Sequence, residues 1–330
     1  MRRRSPRTAV RVGCGGLSAP GQFRVHYGRI AAISLLVVPQ PRSGWPTIPH
    51  RRCFVKCTVS SIAVLLVALG TLAVSAEAQT QRFVRYEQAG SVSWGELVGE
   101  TVYQLSGAPY EGGSRTGASV AMSNVTLKAP VDPKQIFMTA FNFRSHISGE
   151  PAEYPGIFLV PPSSIIGSGE NIVKPADSRQ LHYEAEAVAV IGREAINVSL
   201  EDAADYIFGV SAGDDVSERI WQAQDIQWSR AKGSRTFNAV GPYLVTGLDP
   251  ANLEIEGRLN GERVQGENTS DLIFSLAYMV HYISQYFTLL PGDLVWTGTM
   301  GSTRAMNPGD VYEVEIPGIG VLRNPVVQGM

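Results

Sequence analysis

Two glutamates two positions apart are the first feature of this sequence that could do chemistry. Residues 181–191 alternate small and apolar side chains and predict a β-strand that Gly192 closes. Successive side chains of a strand point to opposite faces, so Glu184 and Glu186 share one face, about 6.5–7 Å apart along the strand. Valines continue on that face, and buried carboxylates require a compensating cation or hydrogen bonds. Clustered carboxylates usually bind hard divalent cations such as Mg²⁺. A half-exposed edge strand with two solvated glutamates fits this segment equally well.

A second group of polar side chains follows at Asp215, Arg219 and Gln222. If a helix begins near Asp215, residues four and seven positions later lie on the same face of it. That face would align a carboxylate ligand, a guanidinium for an anionic substrate and an amide donor. The competing interpretation is a solvated polar helix face.

Three histidines lie beyond residue 78: His146, His182 and His281. His281 falls inside a helical pattern, which predicts a structural role. His182 lies on the Glu184 face of the predicted strand, where a core or supporting role is expected rather than metal ligation. His146 lies in a predicted loop or short helix, where a surface position is the competing interpretation.

The elements around these residues predict a strand-rich protein. Short apolar pieces separated by Gly and Ser between residues 82 and 133 indicate a small module of β-hairpins. Ser270 is a suitable cap for a helix from Asp271 to about Leu289. Further strands are predicted at 136–140, 243–246, 253–259 and 293–296, with an Asn260-Gly261 hairpin turn, and a hairpin covers 309–324. The strand at 293–296 delivers Thr297-Gly298-Thr299 to its end.

Composition restricts the partners and the chemistry. Residues 1–78 hold eleven of the 28 basic residues and one of the 30 acidic residues, which leaves 17 basic against 29 acidic residues, about −12, in the body. So acidic a body argues against nucleic acid or an anionic membrane as partner. All three cysteines, Cys14, Cys53 and Cys57, lie in residues 1–78. The body therefore has no disulfide, cysteine nucleophile or thiolate metal site.

Residues 1–78 are predicted to form a leader. Arg51-Arg52-Cys53-Phe54-Val55-Lys56 precedes an apolar run from Ser60 to Val74 and a small-x-small site at 76–78, the layout of a secretory signal. The hexapeptide also resembles a twin-arginine export signal, so we expect an exported or periplasmic protein cleaved near Ala78. An uncleaved membrane anchor and an organellar transit peptide are the alternatives.

Residues 82–328 resemble the fumarylacetoacetate hydrolase family. The resemblance rests on a series of short motifs that occur in this order with matching spacings. They are Asn142-Phe143-x-x-His146, Tyr183-Glu184-x-Glu186, Asp215-x-Ser217-x-Arg219 with Gln222, Gln227-Trp228 with Lys232, Gly241-Pro242, Asn260-Gly261-Glu262 with Gln265, Thr269-Ser270, Pro291-Gly292-Asp293 and Thr297-Gly298-Thr299.

The resemblance implies a fold and a metal site. It implies a β-rich α+β protein, in which a mixed β-sandwich roll at residues 134–330 carries the catalytic site and residues 79–133 form a small N-terminal β domain. It implies that Glu184, Glu186 and Asp215 hold one Mg²⁺, Mn²⁺ or Ca²⁺, leaving room for a 1,3-dicarbonyl or 2-oxo acid to chelate it. The family's usual Asn before the ligand Asp is Asp214 here, which adds a negative charge.

The resemblance also implies roles for the neighbouring side chains. Lys232 and Gln222 would donate to developing negative charge, and Arg219 would bind a substrate carboxylate bidentately. Thr299, with Gly298 beside it, would contact the substrate carboxylate by its hydroxyl or its backbone.

His146 would be the general base, carried on a mobile lid, that activates water or shuttles a proton. Many members of the family place a glutamate three residues after this histidine. That position is Gly149 here, so Glu150 is the nearest acidic partner.

Three functions follow from this site. The first is metal-dependent hydrolysis of a C–C bond in an acylpyruvate or fumarylacetoacetate, through a metal-chelated enolate. The second keeps the site for a 2-hydroxyhepta-2,4-diene-1,7-dioate-type isomerase or an oxaloacetate decarboxylase, and the third is an exported dicarboxylate-binding protein without catalysis. Retention of both His146 and Lys232 favours an enzyme. The resemblance also predicts a homodimer.

Overall fold

The computed structural model describes residues 80–330. The predicted leader, its cleavage near Ala78 and the export that depends on it lie outside the described residues. Among residues 80–330, no helix is long and apolar enough to span a lipid bilayer.

A twelve-stranded mixed sheet forms the larger layer of the structure. Ten strands run in the order β4-β3-β2-β1-β14-β12-β11-β17-β6-β7, with β5 paired to β1 and β8 paired to β14. Most neighbours are antiparallel, whereas β17–β6 and β14–β8 are parallel. The strands are β1 Gln81–Gln88, β2 Ser91–Val98, β3 Thr101–Leu105, β4 Arg115–Ala121, β5 Thr126–Lys128, β6 Ile136–Ala140, β7 Gly156–Leu159, β8 Ile165–Ile166, β11 Ala185–Ile191, β12 Ile207–Asp215, β14 Asn238–Thr246 and β17 Leu294–Trp296.

A five-stranded sheet packs across one face of the larger one. Its strands, in the order β16-β15-β18-β19-β9, are β9 Ile172–Lys174, β15 Glu254–Leu259, β16 Glu262–Asn268, β18 Val311–Ile316 and β19 Gly320–Gln328. Alternate residues of β15 and β18 are buried, as expected when one face of a strand packs on a core. Together the two sheets confirm the predicted β-rich fold.

The remaining elements are short. A two-residue ladder joins β10 Leu181–His182 to β13 Ser217–Glu218. The α-helices are α1 Arg219–Gln224, α2 Ser229–Gly233 and α3 Leu276–Ser284. Within residues 80–330, six 3₁₀ turns lie at Pro109–Glu111, Met122–Asn124, Arg144–His146, Pro162–Ser164, Ala203–Tyr206 and Thr269–Asp271.

Strand β11, which carries Glu186, is buried on both faces. All seven of its residues are buried, and it lies between β12 and β17 inside the large sheet. Ala185 and Ala187 face the core shared with the five-stranded sheet, and Val188 and Val190 join a second core that includes Phe83 from the N-terminal strands. The interpretation of residues 181–191 as a half-exposed edge strand is therefore wrong.

The N-terminal strands extend the large sheet. Strand β1 pairs with β14 over residues 81–83, and Tyr110 and Phe83 pack in the same core as Trp296. The hairpin module predicted for residues 82–133 is therefore present, and its strands are continuous with the sheet that carries the candidate site.

The predicted strand 181–191 is interrupted at Tyr183 and Glu184. Strand β10 ends at His182 and β11 starts at Ala185. The backbone N–H of Glu184 donates to the Asp214 carboxyl at 2.8 Å, so a side chain replaces a ladder acceptor there. The interruption frees Glu184 from strict strand geometry just where its side chain enters the site.

Two helix predictions were wrong in their bounds. Asp215 ends β12 and does not start a helix; α1 begins at Arg219, after Glu218, whose carboxylate accepts the N–H of Trp221 at 2.7 Å. The helix predicted from Asp271 begins only at Leu276, capped by Ser275. Asn142 accepts the N–H of Phe274 at 2.8 Å, and this long-range bond holds residues before Leu276 out of the helix.

Gly213 lies where the packing leaves no room for a larger side chain, and this can be tested. It lies in β12 opposite Glu186, and an added Cβ would come within 2.5 Å of Trp296 and 2.6 Å of Val188. We expect Gly213→Ala to lower the free energy of unfolding by about 1–3 kcal/mol, measured by urea denaturation. Gly107→Ala is the matched control, since no atom lies within 4 Å of its Cβ. Equal stability of the two variants would contradict the tight packing around Gly213.

Candidate metal centre

Three buried carboxylates meet where β11 begins and β12 ends. Glu184, Glu186 and Asp215 each offer an oxygen, and these oxygens lie within 4.8 Å of one another. All three side chains are buried. The antiparallel ladder that pairs Ala185 with Asp214 brings residues about 30 positions apart to the same end of the sheet. The structure thus gathers the three predicted ligands in one place.

Two cations and an amide partly balance this charge. The Lys232 ammonium donates to Glu184 Oε2 at 2.5 Å and to Asp215 Oδ2 at 2.6 Å. Arg219 Nη2 lies 2.5 Å from Glu184 Oε1, and Asn238 donates to Asp215 Oδ1 at 3.1 Å. Lys232 comes from the short helix α2. Lys232 therefore lies among the ligand carboxylates.

The pKa values show where negative charge is still uncompensated. Burial alone would raise the pKa of Glu184, but the charges of Lys232 and Arg219 lower it to about 2. Burial raises the pKa of Asp215 to about 7 despite Lys232. Burial, reinforced by the charges of Asp215 and Glu184, raises the pKa of Glu186 well above its ordinary value. Glu186 thus lacks a cation, although the N–H of Gly298 donates to it at 2.7 Å.

The donor set fits a hard divalent cation. Mg²⁺, Mn²⁺ and Ca²⁺ prefer carboxylate oxygens, and the described residues place three such groups around one point with Glu186 short of positive charge. Two side-chain cations against three ionised carboxylates leave one negative charge unbalanced, which favours binding of a further cation.

Asp214 supports the site from the other side of the strand. Its Oδ1 accepts the Glu184 N–H at 2.8 Å, whereas its Oδ2 is buried without a hydrogen-bond partner among the described residues. Burial raises the pKa of Asp214 well above its ordinary value. Burial therefore disfavours the negative charge that the sequence leads us to expect at this position.

Gly298 and Thr299 are positioned at the site, but their groups are already engaged. The N–H of Gly298 is committed to Glu186, so Gly298 orients a candidate ligand and its N–H does not face a substrate. The Thr299 hydroxyl donates to Ala185 O at 3.0 Å and accepts from Gln265 at 2.8 Å. Of the two predicted routes to a substrate carboxylate, the backbone of Thr299 is the one left open.

Arg219 and Gln222 are neighbours at the start of α1. Arg219 Nη1 donates to Gln222 Oε1 at 2.8 Å, and Nη2 donates to Thr303 Oγ1 at 2.9 Å. Thr303 in turn contacts His182 Nδ1 at 2.9 Å. Burial, followed by the charge of Arg219, lowers the pKa of His182 to about 4. His182 therefore supports Arg219 as a neutral side chain, as expected.

His146 lies at the rim of the same pocket. Its Nδ1 is 2.7 Å from the backbone oxygen of Gly301, and the ring lines the pocket with Glu184 and Lys232. Glu150 is 95% exposed, and it lies 3.7 Å from Arg144. Glu150 is thus placed away from the ring, and the Gly301 carbonyl holds the histidine in its stead.

Aromatic residues without an assigned role in the sequence complete the pocket. Phe141, Phe158 and Trp228 line it beside Thr139 and Thr299. The Trp228 ring lies 5.3 Å from that of Phe158 and 6.0 Å from that of Phe141, both edge-on. Trp228 stood in a matched motif, but no local pattern predicts that three strand and loop aromatics meet at one wall.

Comparisons with known proteins match most of the described residues to one family. A family model described as "Fumarylacetoacetate (FAA) hydrolase C-terminal" matches residues 135–327, and one described as "Rv2993c-like, N-terminal" matches residues 81–130. Protein Rv2993c of Mycobacterium tuberculosis is 40% identical over 240 residues, covering 71% of this chain and 91% of that protein.

Two further relatives carry named activities. Oxaloacetate tautomerase fahd2, mitochondrial, of Xenopus laevis is 36% identical over 224 residues, 63% of this chain and 70% of that protein. The crystal structure of 2-hydroxyhepta-2,4-diene-1,7-dioate isomerase from Mycobacterium marinum has a TM-score of 0.71 and 37% identity, covering 75% of this chain and 98% of that chain. With more than half of its length matched by the family model, this chain belongs to the fumarylacetoacetate hydrolase family of enzymes.

Proposed function

We propose that this protein is a metal-dependent enzyme that moves a proton at the carbon next to the carbonyl of a small 2-oxo acid, as an isomerase or tautomerase does. The observation that supports this function is the hydrogen bond between His146 and the Gly301 carbonyl, at 2.7 Å. The similarity to a named isomerase and a named tautomerase supports the same class.

Glu184, Glu186 and Asp215 would hold the cation, for which Mg²⁺ and Mn²⁺ are the first candidates and Ca²⁺ the third. When bound, it supplies Lewis acidity that stabilises negative charge developing on a substrate oxygen. Lys232 has three donors, of which two bind Glu184 and Asp215. The third is available to the same developing charge, and Gln222 lines the same pocket.

His146 is suited to proton transfer because of its tautomer. A backbone carbonyl only accepts, so Nδ1 carries the hydrogen, an assignment that follows from the hydrogen bond. Nε2 then keeps its lone pair and acts as a general base towards a bound substrate.

The partner of His146 separates two kinds of chemistry. In hydrolases that activate a nucleophile through histidine, a buried carboxylate stabilises the imidazolium that forms. Here the partner is a neutral carbonyl, and Glu150 lies in solvent beside Arg144. Without a carboxylate partner, the imidazolium that forms at His146 is less stabilised. Such a histidine is better suited to holding a proton briefly, taken from an acidified carbon, than to deprotonating water.

Hydrolysis of a C–C bond in an acylpyruvate or fumarylacetoacetate is the second candidate. The pocket bounded by His146, Glu184 and Thr299 encloses about 20 Å³, enough for one water. A water there would lie within reach of the histidine. Decarboxylation of oxaloacetate would use the same groups without the water.

A substrate panel tests the proposed class. The purified protein with Mg²⁺ or Mn²⁺ is assayed on acylpyruvates, oxaloacetate and hydroxymuconate-type dienes, with enol absorbance reporting proton transfer and product analysis reporting C–C cleavage. We expect isomerised products with the carbon skeleton intact. Cleaved products would favour the hydrolase, and metal binding without turnover of any compound would favour a binding protein.

His146→Gln tests the general base. We expect the rate of proton transfer to fall about 10²–10⁴-fold, while thermal stabilisation by the metal persists because the carboxylates are intact. Glu150→Gln is the control and keeps wild-type turnover, since its carboxylate is in solvent. A large loss in Glu150→Gln would show that the loop closes and that the carboxylate does support the histidine.

Glu186→Gln tests the metal site. We expect it to abolish both turnover and the rise in melting temperature that Mg²⁺ or Mn²⁺ produces, because the carboxylate without a cationic partner is removed. Glu254→Gln, at an exposed position in β15, should leave both unchanged. Metal-dependent stabilisation that survives in Glu186→Gln would refute the assignment of this ligand.

Metal binding is expected to strengthen as the pH rises. The pKa of Asp215 is raised to about 7, and a cation binds only the deprotonated carboxylate. Below pH 7 the metal competes with a proton at Asp215, so the dissociation constant should fall from pH 6 to pH 8. Isothermal titration calorimetry at these pH values measures it, and a constant affinity would contradict the raised pKa.

The assembly state is a separate matter. A homodimer remains a prediction from the family resemblance. Export remains a prediction from the leader sequence, and the absence of a nucleic-acid partner remains a prediction from the acidic body.

A further inference from the structure

We propose that the substrate carries an uncharged apolar arm, and that this arm lies in a groove adjoining the polar pocket. The proposal rests on the proposed function. It adds an apolar arm to the 2-oxo acid head group that the polar pocket would bind. We call the surface formed by residues 140–141, 156–159 and 226–229 the apolar groove.

The apolar groove is continuous with the candidate active site. Ala140, Phe141, Phe158 and Trp228 line both cavities. The polar pocket encloses about 20 Å³ and the groove about 480 Å³. The polar pocket is much the smaller of the two, so the rest of a larger substrate has to pass along the shared aromatic wall.

The lining of the groove determines the chemistry of the arm. Phe141, Leu159 and Ile226 are exposed there, Ile226 at 98% of its surface. Apolar side chains grouped on a surface mark a binding site more often than the same residues scattered singly. Gln227 and Ser229 are the polar members, and none of the residues that line the groove is charged.

Without a cation in the lining, a distal carboxylate would have no partner. The Lys232 ammonium lies 5.8 Å from the centre of the Phe158 ring, but it already binds Glu184 and Asp215. A carboxylate that leaves water without a counter-charge is unfavourable. The groove therefore selects a monocarboxylic 2-oxo acid, such as an acylpyruvate with an alkyl or aryl end, over a long dicarboxylate.

The backbone conformation of two residues in the aromatic wall supports a role of the wall in ligand binding. Phe141 and Trp228 have φ values of 57° and 58°, a left-handed conformation that side-chain-bearing residues rarely adopt. Such strain persists where the surroundings over-determine it, and it concentrates at ligand-binding sites. In both cases the conformation holds an aromatic ring between the polar pocket and the groove.

Binding of a homologous series to the protein tests this proposal without requiring turnover. The metal-loaded full-length protein is titrated calorimetrically with 2-oxo acids from pyruvate to 2-oxooctanoate, and with 2-oxoheptanedioate. We expect the dissociation constant to fall about two- to fourfold per methylene until the groove is filled. 2-Oxoheptanedioate should bind about tenfold more weakly than 2-oxoheptanoate, because its second carboxylate meets no cation.

Ile226→Asp and a matched control locate the arm. Ile226→Asp should reduce the affinity ratio of 2-oxooctanoate to pyruvate about tenfold, since it places a charge beside the arm. Ile196→Asp alters an isoleucine that is also exposed, at 56%, but lies outside the groove, and it should keep the wild-type ratio.

The outcomes separate the two proposals. Length-dependent binding without turnover of any compound would overturn the proposed function and keep the groove. Turnover of short substrates with length-independent affinity, or tighter binding of the dioate, would overturn the groove. A protein that turns from dimer to monomer in Ile226→Asp with an unchanged affinity ratio would assign the surface to a second copy of the chain and overturn the arm.

Discussion

The burial of three carboxylates inside a sheet covered on both faces is the constraint on which the site depends. Each ionised carboxylate would be strongly unfavourable there without a partner. Lys232 from α2 and Arg219 from α1 supply charge, while Asn238 from β14 and the Gly298 N–H after β17 supply hydrogen bonds. The surrounding helices and loops can thus be understood as the elements that deliver these groups. The charge of Glu186 is not balanced by a side-chain cation, and a bound metal ion would supply the missing positive charge.

A second polar network ties the smaller sheet to this centre. Gln265 on β16 accepts the Ala185 N–H at 3.0 Å and the Tyr312 hydroxyl at 2.7 Å. The same side chain donates to Thr299 and to the Met300 carbonyl, so all four of its principal hydrogen bonds are made. Fully satisfied buried networks rigidify the groups they join. Gln265 therefore holds the start of β11 and the loop after β17 together, although it makes no hydrogen bond to the carboxylate of any of the three candidate ligands.

The open side of the centre has a different character. On it lie His146, tied to Gly301 by one hydrogen bond, and the rings of Phe141, Phe158 and Trp228. The buried carboxylates with Lys232 and Arg219 form a charged base of the pocket, and the aromatic rings form its rim. This combination suits a substrate with a charged head group and an apolar remainder.

Local patterns determined much of this structure. Alternation in residues 185–191, the Asn260-Gly261 turn and the 293–296 strand all appear as predicted, because each depends on neighbours close in sequence. The types and spacing of Glu184 and Glu186 indicated a cation, and the resemblance to the family supplied Asp215, Arg219 and Lys232 as partners. Without that resemblance, residues 184 and 232 carry no local signal that they would meet.

Long-range contacts decided the rest. The break before Ala185 depends on the hydrogen bond to Asp214, and the late start of α3 depends on the hydrogen bond to Asn142. The path of its loop places Glu150 in solvent beside Arg144. Only the fold placed a backbone carbonyl, and not a carboxylate, on His146. The sequence by itself determined which residues could bind a metal. The tertiary structure decided which of their charges are balanced, because burial and pairing arise from segments far apart in the chain.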